Sequence, residues 1–238
     1  MNSKRKFRFE NKYLLDVLQK ESLKNCLESI CDLDKYVKDG VDSYRIRSLY
    51  FDTYNSKAYH DNEAGVDQRE KYRIRIYNSS SDYISLERKL KVNGKISKDR
   101  TRITSEFFNA ILNDKMDQVD FDEADPLINR FLLEYHMNYL RPRIIVDYDR
   151  TAYVDENIDA RVTFDSNIGF SDNIIDFFDP DLSLQPIMPL GKELLEVKYT
   201  EVLPEYIHQI LNLKNIQQST FSKYYLCEKF RRQGDIVL

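Results

Sequence analysis

The segment Lys71-Tyr72-Arg73-Ile74-Arg75-Ile76 alternates basic side chains with aromatic or aliphatic ones. Because successive side chains of a β-strand point to opposite faces of the sheet, this segment predicts a strand with one cationic and one apolar face. The following segment, Tyr83–Leu90, places Glu87 and Lys89 together on one face in the same way. Asn93-Gly94 then predicts a hairpin turn, since both residues tolerate positive φ, and the turn would pair residues 83–91 with 96–104.

Other strands are predicted from short runs of Ile, Val, Tyr, Phe or Leu bounded by Asn, Asp, Ser or Gly. The full set of predicted strands is Lys4–Glu10, Tyr44–Phe51, Glu70–Tyr77, Tyr83–Leu90, Ile96–Thr104, Arg143–Tyr148, Ala160–Phe164 and Glu193–Tyr199. Helices are predicted to begin at Tyr13, Ser105, Pro126 and Pro204, with a last one near Ser222. Strands outnumber helices, which favours a mixed α+β domain built on an antiparallel sheet.

The composition fits one globular domain over residues 1–238. The chain has 238 residues, 42% of them hydrophobic, and a formal net charge of −4, which suffices for one sizeable core. No apolar stretch approaches the length of a membrane span, and no glycine-rich nucleotide-binding motif occurs. The three cysteines form no CxxC, so neither a disulfide framework nor a zinc site is expected. The basic N-terminus is not followed by the apolar stretch of a signal peptide, and we expect a cytoplasmic protein.

Charged pairs at i and i+2 recur on other predicted strands. Glu10 with Lys12 and Glu196 with Lys198 repeat the pattern. For any single strand a solvated outer face is the commoner explanation. Several such strands together favour a closed barrel whose interior face carries the charges. A cationic interior repels itself unless it binds anions, a few glutamates can hold a divalent metal, and Arg forks match phosphate oxygens. A chain of phosphates is therefore the predicted ligand.

Eight short motifs, in order along the chain, then point to a known family. They are Arg8-Phe9-Glu10-Asn11-Lys12-Tyr13, Ser48-Leu49-Tyr50-Phe51-Asp52, Arg73-Ile74-Arg75, Glu87-Arg88-Lys89, Arg150-Thr151-Ala152-Tyr153, Ala160-Arg161-Val162, Leu195-Glu196-Val197-Lys198-Tyr199 and Phe221-Ser222-Lys223-Tyr224. With these motifs the chain resembles the VTC (vacuolar transporter chaperone) domain of polyphosphate polymerases, a branch of the triphosphate tunnel metalloenzymes that also include CYTH proteins. The resemblance implies a closed antiparallel β-barrel tunnel with helices packed outside.

The resemblance also implies roles for individual residues. The basic residues that would line the tunnel, hold the phosphates and assist their transfer are Lys12, Arg73, Arg75, Lys89, Arg150, Arg161, Lys198 and Lys223. Ser222 and Lys98 are further candidates for substrate binding. Glu196 matches a carboxylate that coordinates Mn²⁺ or Mg²⁺, with Glu10 and Glu87 as additional ligands. Glu87 has an alternative role, a buried ion pair with Arg73 or Lys89.

The activity implied is transfer of the ATP γ-phosphate to a growing inorganic polyphosphate chain, with release of ADP. Three alternatives stay open: hydrolysis of triphosphate or nucleotides by the same fold, polyphosphate binding without catalysis, and, least favoured, nucleic-acid binding. The expected partners are ATP and polyphosphate or triphosphate, and a separate membrane protein is left open. Thr220 departs from the family pattern, since relatives often carry a basic residue near this position.

Residues outside these motifs have plainer interpretations. His60, His136 and His208 form no metal-binding spacing and are read as surface or packing residues. Asp147 and Asp165 either pair with arginines or balance surface charge. Tyr50 and Phe51 are expected to pack within the sheet.

Overall fold

The computed structural model describes residues 6–34, 43–121, 125–155, 159–213 and 216–234. In this part of the chain the strands are β1 Phe9–Asp16, β2 Asp32–Leu33, β3 Tyr44–Asp52, β4 Arg69–Tyr77, β5 Ser80–Val92, β6 Lys95–Ile103, β7 Arg141–Asp155, β8 Ala160–Ser171, β9 Gln185–Pro186 and β10 Lys192–Tyr199. The helices are α1 Val17–Glu28, α2 Lys57–Glu63, α3 Ser105–Leu112, α4 Pro126–Met137, α5 Glu205–Leu213 and α6 Lys223–Gly234.

Eight strands form one curled antiparallel sheet in the order β1-β10-β8-β7-β3-β4-β5-β6. The short strands β2 and β9 add to β7 and β8. The two edges of the sheet meet where Arg8 and Ile96 exchange backbone hydrogen bonds of 2.9 and 2.8 Å. The barrel is thus a curled sheet joined at one bridge in the described residues, with α1, α3, α4 and α5 packed outside it. This is the mixed α+β tunnel architecture that the sequence predicts.

The central hairpin is confirmed. Asn93 and Gly94 both have positive φ, 49° and 72°, and the turn pairs Lys91 with Ile96 and Ile84 with Ile103. The predicted helix starts at Ser105, Pro126, Pro204 and near Ser222 agree with α3, α4, α5 and α6 to within a residue.

The N-terminal prediction is wrong in its boundaries. The predicted strand Lys4–Glu10 begins instead at Phe9 and continues through the predicted helix start at Tyr13 as far as Asp16; Lys4 and Arg5 lie outside the described residues. Burial alternates here with a period of two, because Tyr13 and Leu15 are buried while Leu14 is 43% exposed. Helix α1 begins only at Val17, where the Asp16 side chain accepts a hydrogen bond from the Gln19 backbone,.

Strands β7 and β8 are much longer than the predicted Arg143–Tyr148 and Ala160–Phe164. They pair with each other along most of their length: Ile145 lies opposite Ser171 at one end and Asp155 lies opposite Ala160 at the other. The predicted strand stops before Asp149, but β7 continues through this residue, which pairs with Arg45 of β3 and Ser166 of β8. Helix α2 and the two-residue strands β2 and β9 were not predicted.

Two apolar clusters cover the outer face of the sheet, and a third lies on its inner face. On the outside, α3 and α4 pack on β3–β6 around Phe108 and Phe131, while α1 and α5 pack on β1, β8 and β10. The inner cluster joins Tyr50 and Tyr148 to Tyr224 and Cys227 of α6. Helix α6 therefore packs against the inner face of the barrel. None of the helices in the described ranges is long and apolar enough to span a membrane.

Candidate functional site

The inner face of the sheet and the start of α6 enclose a central cavity of about 1220 Å³. Among the residues that the structure describes, its lining holds fifteen lysines and arginines against three glutamates. The cationic residues are Lys6, Arg8, Lys12, Arg69, Lys71, Arg73, Arg75, Lys89, Lys91, Lys98, Arg100, Arg150, Arg161, Lys198 and Lys223. Such an excess of like charge in one concave space favours an anionic ligand.

Strand register places the cations of β4, β5 and β6 in rows. Lys71 lies opposite Lys89, which lies opposite Lys98. The next row along the strands is Arg73, Glu87 and Arg100. Alternation of side chains thus delivers a repeated cationic pattern to one wall of the cavity.

Glu87 lies beneath this wall with its side chain 1% exposed. Arg73 donates to one carboxylate oxygen from Nε and Nη2, at 2.8 and 2.6 Å, and Lys98 Nζ lies 3.0 Å from the other. Burial alone would raise the pKa of Glu87, but Arg73, Arg75 and Lys98 hold it well below its usual range. The carboxylate therefore stays ionised and fixes the fork of Arg73, whose Nη1 also donates to Tyr50 Oη at 2.8 Å.

Glu196 of β10 is the centre of the opposite wall. Its Oε1 lies 2.9 Å from Lys223 Nζ and 3.3 Å from Lys12 Nζ. Its Oε2 lies 3.0 Å from Lys198 Nζ and 3.4 Å from Arg150 Nη2. Burial would raise the pKa of Glu196, but Lys198, Lys223, Lys12 and Arg150 together hold it well below its usual range.

Glu10 of β1 stands beside this cluster and shares one of its lysines. Lys12 Nζ lies 3.2 Å from Glu10 Oε1 as well as 3.3 Å from Glu196. Lys89, which comes from the other wall, lies 2.9 and 3.1 Å from the two Glu10 oxygens. Burial would raise the pKa of Glu10, but Lys89 and Lys12 lower it below its usual range. The Glu10–Lys89 pair connects the two walls.

Asp165 holds the cations below Glu196. Arg150 forms a bidentate pair with it, both distances being 2.6 Å, and Lys223 Nζ lies 2.6 Å from Oδ2. Asp165 is fully buried, and Lys223 also lies 4.7 Å from the centre of the Tyr148 ring. Burial would lower the pKa of Lys223, but Asp165 and Glu196 raise it, so this ammonium stays charged. Asp147 and Asp165 are thus both buried partners of arginines and not surface charges.

Asp52 positions the start of α6 against the cavity. Its buried carboxylate accepts hydrogen bonds from the backbone N–H of Ala58 and Tyr59 at the start of α2, at 2.8 and 3.0 Å. Tyr224 Oη of α6 donates to the same carboxylate at 2.6 Å. One acidic side chain at the end of β3 therefore joins both helices and orients Ser222 and Lys223 into the cavity.

The predicted site residues lie around this one cavity, apart from Glu87. The lining includes Lys12, Arg73, Arg75, Lys89, Lys98, Arg150, Arg161, Lys198, Ser222, Lys223, Glu10 and Glu196. Arg161 pairs with Asp34 at 2.7 Å and donates to Tyr44 Oη at 3.1 Å. Glu87 instead takes the ion-pair role, with Arg73 and Lys98 and not with Lys89.

The sequence analysis gave no site role to several cationic residues of the cavity, although it placed Lys71 on the cationic face of its strand. They are Lys6, Arg8, Arg69, Lys71, Lys91 and Arg100. Arg69, Lys71 and Lys91 extend the same period-two faces as Arg73 and Lys89, so the strand alternation was the signal available. Tyr50 was expected to pack within the sheet, but it also lines the cavity, whereas Phe51 packs in the outer core.

Two carboxylates of the cavity, Glu10 and Glu196, are suitable ligands for one divalent cation. No group of three metal-ligating side chains occurs among the described residues, and the three histidines contribute none. Glu10 and Glu196 both face the cavity and are bridged by Lys12. Mg²⁺ is commonly held by one or two protein carboxylates, with substrate phosphates and water as its other ligands, and Mn²⁺ accepts the same oxygen donors. Two carboxylates beside a phosphate-sized cationic lining suit that mode of binding.

The fold defines a class of proteins. A candidate adenylyl cyclase from Hippeastrum with a dominant triphosphatase activity has a TM-score of 0.55 and 14% identity, over 94% of this chain and 95% of its own. A candidate adenylate cyclase from Bacillus halodurans has a TM-score of 0.52 and 14% identity, over 92% and 95%. A candidate adenylate cyclase from Vibrio parahaemolyticus has a TM-score of 0.51 and 10% identity, over 94% and 99%. The chain has the triphosphate tunnel fold of these structures.

The sequence itself then gives the family. Residues 7–229 match the profile of the VTC domain, so the chain belongs to the VTC domain family. No curated protein sequence matches it.

Proposed function

We propose that the protein is a metal-dependent polyphosphate polymerase, which transfers the γ-phosphate of ATP to a chain of inorganic polyphosphate and releases ADP. The observation that carries this proposal is the pair Glu10 and Glu196, ionised and bridged by Lys12, inside a cavity lined by fifteen cationic side chains. Membership in the VTC domain family supports the same reaction.

The buried carboxylates prepare the cations for a phosphate ligand. Glu87 and Asp165 hold Arg73 and Arg150 by paired hydrogen bonds, so these guanidinium groups lose little conformational freedom when a ligand binds. Preorganised cations stabilise the charge that develops on transferring phosphoryl oxygens more effectively than mobile ones. Lysines 12, 89, 198 and 223 have rotatable ammonium groups that can exchange a carboxylate contact for a phosphate oxygen.

The family's divalent cation has its best-placed ligands in Glu196 and Glu10. When held there, Mn²⁺ or Mg²⁺ supplies Lewis-acid polarisation of the phosphate oxygens.

The reaction requires no nucleophile from the protein. A terminal oxygen of the acceptor phosphate forms the new bond to the γ-phosphorus, while the bond from that phosphorus to the β–γ bridging oxygen breaks and ADP leaves with the electron pair. The role of Arg73, Lys89, Lys198 and Lys223 is to align the two phosphates and neutralise their repulsion. No cysteine or histidine lines the cavity in the described parts of the chain.

The test is an incubation of the purified protein with ATP and Mn²⁺, with products separated by electrophoresis and by ion-exchange chromatography. We expect phosphate chains longer than triphosphate and one ADP for each phosphate incorporated. Orthophosphate without chains would contradict polymerisation, and binding without any product would leave a polyphosphate-binding module.

A triphosphatase is the second candidate, because water can replace the acceptor phosphate in the same site. The Hippeastrum structure of the same fold is described with a dominant triphosphatase activity. In this chain Thr220 lies on the cavity where relatives often carry a basic residue, which reduces the charge available to hold an acceptor chain. Release of orthophosphate from inorganic triphosphate, unaffected by added polyphosphate, would favour this reaction.

A further inference from the structure

Lys71 differs in its hydrogen-bond partners from the lysines that form the ion-pair clusters of the cavity. Lys12, Lys89, Lys98, Lys198 and Lys223 each lie within 3.3 Å of a carboxylate oxygen. The described residues give Lys71 no such ion pair; its Nζ donates to Asn62 Oδ1 at 2.7 Å and to Ser222 Oγ at 2.8 Å. The amine therefore meets only neutral oxygens, at the point where α2 and α6 approach the cavity wall.

Most charged groups around Lys71 are cationic and therefore disfavour a positive charge on its amine. Lys89 of β5 lies opposite it in the sheet, Arg69 precedes it on the same face of β4, and Lys12 faces it from β1. Asp52 of β3 acts in the opposite sense, but its carboxylate already accepts from Tyr224 Oη and from three backbone N–H groups. Burial lowers the pKa of Lys71 well below its usual range, and Lys89, Arg69 and Lys12 lower it further.

Three tyrosines and one glutamate belong to the helices α2 and α6 beside Lys71. The Lys71 amine lies 5.4 Å from the centre of the Tyr224 ring. Glu63 of α2 also lines the cavity, where Tyr59 and Tyr225 donate to its Oε1 at 3.5 Å each.

The hydrogen bonds suit an uncharged amine. A neutral lysine has two N–H donors and one lone pair, whereas an ammonium has three donors. Asn62 and Ser222 accept the two donors of the neutral form, which leaves the lone pair. Because Lys71 is part of the cavity lining, a proton added there becomes a third donor available to a ligand in the cavity.

We propose that Lys71 is neutral in the ligand-free protein and takes up one proton when a chain of phosphates enters the cavity, so that phosphate binding and protonation of this side chain are coupled. The proposal rests on the phosphate-binding function proposed above. The anion supplies the negative charge that the protein does not place beside Lys71, and the new ammonium donates to a phosphate oxygen. The proton comes from solvent or from the phosphate itself, and no covalent bond to the protein forms.

The test combines two measurements on the full chain with tripolyphosphate, without divalent metal. In protein labelled with ¹³C-lysine, the Lys71 Cε signal, assigned with the Lys71→Arg variant, is expected at the position of a neutral amine at neutral pH and at the charged position after tripolyphosphate is added. Calorimetry in two buffers of different protonation enthalpy is expected to show proton uptake on binding, which is smaller by about one proton per bound ligand in the Lys71→Met variant. That variant is expected to bind about tenfold more weakly, the value of one charge-assisted hydrogen bond.

The controls separate this proposal from the proposed function. The variant Lys91→Met removes another cavity cation and is expected to keep the proton uptake. Tripolyphosphate binding with a Lys71 signal that is charged throughout, or neutral throughout, would overturn the coupling and leave the phosphate-binding function standing. Failure of tripolyphosphate to bind at all would contradict the proposed function.

Discussion

Replacement of Glu196 by Gln should lower the free energy of unfolding and the turnover but leave tripolyphosphate binding intact. The Glu196 side chain is 6% exposed and contacts Lys12, Lys198, Lys223 and Arg150 within 3.4 Å. Removing one partner of a buried ion pair costs about 3–5 kcal/mol, because the remaining charge is left uncompensated. Other carboxylates still serve three of the four cations, Glu10 for Lys12 and Asp165 for Lys223 and Arg150.

Lys198 is therefore the cation that loses most. We expect the free energy of unfolding to fall by about 3 kcal/mol, the low end of that range. A phosphate ligand reverses this loss, because its negative charge takes the place of the missing carboxylate. Tripolyphosphate at about 100 times its Kd should stabilise the wild type by about 2.7 kcal/mol and the variant by at least as much. Turnover with ATP and Mn²⁺ should fall at least about 100-fold, since a metal contributes several kcal/mol to the transition state.

The assay is urea unfolding with and without tripolyphosphate, together with ADP release. The matched control is Glu193→Gln on the same strand. It removes an ion pair in which Lys20 Nζ lies 2.8 Å from Glu193 Oε1, and neither residue belongs to the cavity lining. It should cost about 1–3 kcal/mol in the free energy of unfolding and leave turnover unchanged. A Glu196→Gln protein that loses tripolyphosphate binding and turnover together would refute the reasoning, because Glu196 would then be needed to hold the cavity and not to hold the metal.

Three further results are expected. Glu87→Gln should cost about 3 kcal/mol in urea unfolding by leaving Arg73 uncompensated, while Mn²⁺ affinity measured by calorimetry stays unchanged; weaker Mn²⁺ binding would return Glu87 to the metal site. Asp52→Asn should cost about 2 kcal/mol, since hydrogen bonds to a charged group are lost, and an unaltered unfolding curve would show that this carboxylate does not join α2 to α6. Burial lowers the pKa of Lys98 to about 8, although Glu87 opposes this, so the charge of Lys98 is lost as pH rises from about 7 to about 9. The affinity for tripolyphosphate should fall over the same range, and Lys98→Arg should reduce this fall. Identical pH profiles of affinity for the wild type and the variant would exclude a contribution from Lys98.

The alternation of side chains was enough to predict the walls of the cavity. Arg73 and Arg75 on β4, and Glu196 and Lys198 on β10, each follow a period of two beside buried aliphatic residues, and that period fixes which face they share. The pattern does not fix which carboxylate pairs with which cation, because strands distant in sequence meet through the curl of the sheet. Glu10 shows this limit: its partner Lys89 comes from β5 on the opposite wall, 79 residues further along the chain.

The errors have local physical causes. The run Tyr13-Leu14-Leu15 is as apolar as a helix start, but burial of Tyr13 and Leu15 on one face extends β1 until Asp16 caps α1. Lys71 belongs to the same cationic face as Arg73, yet its distinctive environment comes from α2 and α6, which reach it only in the folded chain. No pattern within β4 distinguishes it from its neighbours.

A crystal structure with tripolyphosphate and Mn²⁺ would test the central claim most directly. The account predicts a phosphate chain between the Arg73 and Lys198 walls, with phosphate oxygens within hydrogen-bond distance of both side chains, and an anomalous manganese peak next to Glu196. Phosphates seated on the outer face of the sheet, or manganese far from Glu196 while the cavity holds only water, would contradict it.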